Sequence, residues 1–79
     1  MKLPRDQDGL ELVKMLKVFG YVMVRQEGSH MRLMTTANGK HHLSVVTGTL
    51  KVGTLDQIIG LVAEHFDLSK QDVWDRLNG

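Results

Sequence analysis

YVMVRQEGSHMRLMTTANGKHHLSVV, residues 21–46, is the stretch that decides the fold. Its apolar residues recur every second position, the period of a strand with one covered face. Val22 and Val24 alternate with Tyr21, Met23 and Arg25. Glu27-Gly28-Ser29 then breaks the pattern as a turn. From His30 to Thr35 the alternation resumes, with Met31 and Leu33 on one face and His30, Arg32 and Met34 on the other. Asn38-Gly39 is a strong hairpin signal, because both residues tolerate positive φ. A third strand is expected from Lys40 to Val46. These three segments read as an antiparallel meander.

The flanking segments switch to helical period. Asp8-Gly9-Leu10-Glu11 has the form of a capping box. Behind it Leu12, Val13, Met15, Leu16 and Phe19 gather on one arc, with Glu11, Lys14 and Lys17 opposite. Gly20 supplies the left-handed stop. After a connecting loop expected over Gly48 to Gly53, Thr54-Leu55-Asp56-Gln57 reads as a second capping box. It opens a helix carrying Leu55, Ile58, Ile59, Val62 and Phe66. Gly60 within it costs about 1 kcal/mol against alanine, which suggests close packing on the sheet. Ser69 caps a short last helix with Val73, Trp74 and Leu77.

The expectation is therefore a single α+β domain over residues 1–79. A three-stranded antiparallel sheet carries two main helices on one face, followed by a short C-terminal helix. If Val22, Val24, Met31, Leu33, Leu43 and Val45 form the covered face, parity leaves Arg25, His30, Arg32, His42 and Ser44 together on the open one. That face is locally basic, although ten lysines and arginines against nine acidic residues leave the chain at only +1. Global charge therefore gives no support for a nucleic-acid partner.

With no cysteine in the chain, disulfides and thiolate metal sites are excluded. The start, Met1-Lys2-Leu3-Pro4-Arg5-Asp6, has no apolar run of signal-peptide length, and no segment is apolar enough to span a membrane. A cytoplasmic location is expected. His41 and His42 are strand neighbours that point to opposite faces, so they cannot ligate one ion. His30 with His42 lacks an acidic or sulfur partner and makes a poor metal site. His65 is expected to complement a helix C-terminus. No nucleophilic serine motif, phosphate-cradling glycine loop or carboxylate pair is present, and no cofactor is called for. The chemistry left is acid–base and electrostatic. His30, released by a tight turn into a strand, is the leading candidate, since imidazole exchanges protons near neutral pH. Arg25 and Arg32 present planar donor forks suited to phosphate oxygens. Lys51 lies ahead of a helix N-terminus that can receive an anion.

Gly20-Tyr21 closing the first helix, then Arg25-Gln26-Glu27-Gly28-Ser29-His30, resembles the HicA toxin family of type II toxin–antitoxin systems. Asn38-Gly39-Lys40 is similar to the family's next turn. Leu50-Lys51-Val52-Gly53-Thr54-Leu55 is similar to the segment opening its second helix, and Leu68-Ser69 through Leu77 to its terminal helix. The chain departs from the family pattern at Met31, at Val52, and at Val45-Val46-Thr47, where a Val-Pro-His segment is usual.

The resemblance implies a double-stranded-RNA-binding-like fold of order α-β-β-β-α. It also implies a metal-independent endoribonuclease that cleaves messenger RNA and is held inactive by a HicB-type antitoxin. The family's catalytic histidine falls on His30, which would take the proton from a ribose 2′-hydroxyl. Arg25, Arg32 or Lys51 would steady the charge on phosphorus, and parity offers His42 as a guess for the proton donor. The competing reading is a non-catalytic RNA-binding module of the same fold, with His30 and the arginines as contacts.

Overall fold

A computed structural model describes all residues 1–79. In chain order the elements are β1 (Gln7–Asp8), α1 (Gly9–Met15), a 3₁₀ turn (Leu16–Phe19), β2 (Val22–Glu27), β3 (His30–Thr35), β4 (His41–Val46), β5 (Thr49–Leu50), α2 (Val52–Phe66) and α3 (Lys70–Asn78). The main sheet is antiparallel in the order β2-β3-β4. This is the expected α+β architecture with the double-stranded-RNA-binding-like arrangement.

Asp8 caps α1 by accepting from the Glu11 amide at 3.2 Å, an interaction worth about 1 kcal/mol. The helix buries Leu12, and its 3₁₀ continuation buries Leu16 and Phe19. Gly20 ends it at φ 84°. A side chain there would be doubly opposed, because its Cβ would lie 2.8 Å from the Thr35 Oγ1. That hydroxyl is occupied: it donates to the Phe19 carbonyl at 2.9 Å and accepts from the Ala37 amide at 3.1 Å. One buried threonine thus fastens the end of the first helix to the end of the central strand.

Gly9 is a second constrained glycine. Its amide donates to the Gly48 carbonyl at 2.7 Å, and a Cβ on it would fall 1.8 Å from the Val46 carbonyl oxygen. Helix α1 therefore sits against the end of β4 at backbone contact distance. The core is one cluster. Leu12, Leu16 and Phe19 meet Met31, Leu33, Leu43 and Val45 of the sheet and Leu55, Ile58, Ile59 and Val62 of α2. Helix α3 packs Val73 and Leu77 into the same cluster from the side of α2 and the 3₁₀ turn.

Several expectations are corrected. Val22 and Val24 do not reach the core: they are 52% and 50% exposed, whereas Tyr21, expected outside, is fully buried. The register explains this. Val22 pairs with Met34 and Met23 with Leu33, then the pairing slips so that Arg25 faces Arg32. A β-bulge at Val24 inserts one residue and flips the parity of everything before it. Every residue of β2 is exposed, because the packed helices leave this edge strand uncovered. Arg25 faces outward as expected, because it lies on the turn side of the bulge and keeps the alternation set by Glu27.

Helix α2 begins at Val52, with Lys51 in the cap position and no side-chain cap, so the proposed box at Thr54–Gln57 lies inside the helix. The expected loop over Gly48 to Gly53 contains β5, which pairs with β1 in a two-stranded ribbon. Two-residue strands carry too little pattern to be read from spacing. β4 starts at His41 rather than Lys40, and Asn38 and Gly39 both take positive φ within the Thr36–Lys40 loop. Gly60 is tight against Lys70, whose Cε would lie 3.2 Å from an added Cβ, so its close neighbour is α3 and not the sheet. The Ser69 cap is present, accepting from the Asp72 amide at 3.0 Å.

Candidate nucleic-acid interface

The connection between β2 and β3 is a two-residue turn, Gly28-Ser29. Gly28 has φ 57° and Ser29 does not have positive φ, the pattern of a type II′ turn whose twist suits a hairpin. The turn makes Glu27 and His30 direct cross-strand partners, with Arg25 and Arg32 the next pair on the same face, beyond Gln26 and Met31. His30 also pairs with Val46 on its other side, and the Thr47 amide donates to the Ser29 carbonyl at 2.8 Å. The histidine therefore opens the central strand with backbone held from both sides and side chain exposed.

These side chains surround an open concavity of about 470 Å³ lined by Arg25, Glu27, His30, Arg32 and Ser44, with Met31 beneath. Ser44 comes from β4, opposite Arg32. Arg25 is ion-paired to Glu27 two residues along the same strand. Both partners are largely exposed, so the pair contributes at most about 1 kcal/mol and an incoming anion can rearrange it. The other ion pairs are Lys14–Glu11 and Lys70–Asp56. Arg32 therefore stands in the concavity with no carboxylate partner.

The structure brings together three of the residues singled out from sequence: Arg25, His30 and Arg32. It separates two others. His42 is on the open face, but it faces Met34, four residues along β4 from the Val46 that pairs with His30. That is roughly 13 Å at strand rise, too far to share one phosphorus atom with His30. Lys51 caps α2 beyond β5 and is not part of the lining. Glu27, which the sequence offers only as part of the turn, joins Arg25, His30 and Arg32 in the lining. The spacing Glu27-Gly-Ser-His30 held the signal, because a two-residue turn makes its flanking residues face each other.

The remaining histidines form a different environment. His41 and His65 stack with ring centres 4.4 Å apart and planes 11° from parallel. Nε2 of His65 donates to the carbonyls of Ala37 and Gly39 at 2.9 and 3.0 Å, and Asn38 Nδ2 donates back to the His65 carbonyl at 2.7 Å. His65, expected only to complement the helix end, thus pins the β3–β4 loop to the last turn of α2. His41 Nδ1 and the Tyr21 hydroxyl share a hydrogen bond of 2.7 Å. Burial pushes His41 below histidine's ordinary pKa, helped by His65 and His42 and opposed by Glu64. Burial pushes the Tyr21 hydroxyl up to about 12.

The family model described as the HicA toxin of bacterial toxin–antitoxin matches residues 9–63, from α1 through most of α2 and across the whole concavity. No curated protein and no solved structure matches the chain.

Proposed function

The chain belongs to the HicA toxin family of bacterial toxin–antitoxin systems, and on that footing we propose that it is a metal-independent endoribonuclease acting on messenger RNA in the cytoplasm. The observation that carries this reading is the grouping of His30 with Arg25 and Arg32 in one open concavity. An imidazole moves protons at neutral pH, and guanidinium forks bind phosphate oxygens and stabilise the added charge of a phosphorane. His30 is the acid–base catalyst. Arg32 is the first phosphate contact and Arg25 the second. Lys51 and His42 lie outside the concavity and serve at most flanking nucleotides.

A HicB-type antitoxin protein is the partner that restrains this activity in a toxin–antitoxin pair, and the open sheet face is the surface it has to deny to RNA. Inducing wild type and His30→Ala side by side tests the reading. Wild type arrests growth and shortens messenger RNA, and the variant does neither while keeping its circular dichroism spectrum. Cleavage surviving in His30→Ala overturns the mechanism. RNA binding without fragments from either protein favours the binding-module reading instead.

A further inference from the structure

Transfer of an RNA phosphodiester to its own 2′-hydroxyl needs two proton movements. One proton leaves the attacking O2′ and one arrives at the departing O5′. These oxygens lie on opposite sides of phosphorus in an in-line displacement, so two groups on either side of the phosphate serve it better than one. His30 supplies one group. His42 is too distant to be the other. The concavity contains one further proton-transfer side chain, Glu27, directly opposite His30 across the Gly28-Ser29 turn.

We infer that Glu27 is a second catalytic residue, the base that accepts the 2′-hydroxyl proton, and that His30 acts as the acid. The inference rests on the ribonuclease reading above and deepens it. Cross-strand partners have Cβ atoms roughly 4.5–5.5 Å apart, a separation that lets a carboxylate and an imidazole flank a single phosphate. A carboxylate paired to a guanidinium is ionised and can only accept a proton. That leaves donation to the imidazolium. Arg25 fixes the position of the Glu27 carboxylate in the concavity by direct ion pairing. Arg25 and Arg32 form the next cross-strand pair on the same face, two residues along each strand, which places both guanidiniums on the same side of the Glu27–His30 row, where the non-bridging oxygens would lie. The arrangement also accounts for an acidic side chain on a face that receives a polyanion.

The step balances without a co-reactant. The O2′–P bond forms as O2′ passes its proton to Glu27. The P–O5′ bond breaks as O5′ takes a proton from His30. The products are a 2′,3′-cyclic phosphate and a 5′-hydroxyl, and proton exchange with water returns Glu27 and His30 to their starting forms.

The test uses the purified full chain with two substrates, an RNA oligonucleotide and a nucleoside 3′-(4-nitrophenyl phosphate), whose leaving group departs without protonation. Glu27→Gln is expected to lose about 10²-fold or more on both substrates and to lose the acid limb of its kcat/KM pH profile. His30→Ala is expected to lose a similar factor on RNA and to stay within about tenfold of wild type on the nitrophenyl ester. Arg25→Ala with Glu27 intact should retain the acid limb, which separates a base from a mere anchor for Arg25. If Glu27→Gln cleaves RNA within about threefold of wild type while His30→Ala is dead, the inference falls and the ribonuclease reading stands. If His30→Ala is dead on both substrates, the two roles are reversed from those assigned. If wild type cleaves no RNA at all, the ribonuclease reading fails and takes the inference with it. Glu27 is exposed, and matching thermal unfolding of wild type and Glu27→Gln identifies any loss as chemical.

Discussion

The chain places its four histidines in two settings, and the contrast between them separates chemistry from architecture. His30 and His42 stand exposed on the open sheet face. His41 and His65 are half-buried, stacked on each other and hydrogen-bonded to a tyrosine and to two loop carbonyls. A ring whose nitrogens are bonded inside the protein has its orientation settled and little left to offer a substrate. A ring held only by its backbone can turn toward a ligand and exchange a proton with it. Exposure next to two guanidiniums, not the residue type, is what singles out His30 as the proposed catalytic histidine.

The largest expected effect falls on that side of the contrast. His30→Ala should reduce RNA cleavage by 10²-fold or more with an unchanged melting temperature, whereas His65→Ala should leave the rate per folded molecule unaltered. Next come the arginines. Arg32 has no partner to give up, so Arg32→Ala should raise KM by roughly tenfold, as expected for losing one charge-assisted contact of about 1.4 kcal/mol or more. Arg25 has to rearrange its pairing with Glu27 to bind phosphate, so Arg25→Ala should raise KM less. Equal KM effects from both arginines, measured on one oligonucleotide, would erase the distinction drawn between them.

The structural pair responds in stability. Removing the His65 ring takes two hydrogen bonds from the β3–β4 loop and should cost about 1–2 kcal/mol, visible as a lower denaturant midpoint with the same slope. The smallest effect is the pH dependence of folding. Folding lowers the pKa of His41, so the unfolded chain binds that proton first. The contribution is intact above about 6.5 and is lost as pH falls below that value toward the lowered one. Tyr21 acts with the opposite sign: its pKa rises from 10.0 to about 12 on folding, so stability declines as pH climbs through that interval. His41→Asn should flatten the acid side of a stability-versus-pH curve, and an unchanged curve would mean that the stacked pair does not couple to folding.

Much of the scaffold was legible because its signals are local. Helix α1, the Gly20 stop, the hairpin between β2 and β3 and the Ser69 cap follow from residues within a few positions of one another. The candidate site was legible in part. Parity grouped Arg25, His30 and Arg32 correctly, yet it did so from a wrong premise about Val22 and Val24. It also grouped His42 with them, since parity reports the face of a sheet and says nothing of distance along it. Glu27 was not legible as a site residue because in one dimension it is part of a turn, and its significance lies across that turn, opposite His30.

Short-range chemistry in the chain therefore settles which segments are helices and strands, where they stop, and that His30 leaves a turn onto the outer face of a sheet. Such choices depend on backbone propensity and on the period of apolar residues, both of which are written along the chain. Only the folded arrangement decided that β2 is uncovered, that a bulge at Val24 turns Tyr21 inward, that Thr49–Leu50 pairs with Gln7–Asp8, and that His65 reaches back to the Asn38 loop. Those outcomes come from competition among packed surfaces for one small core. The assembly of Glu27, His30, Arg25 and Arg32 around one concavity is the product of both levels, a local turn placed on a sheet whose opposite face the helices cover.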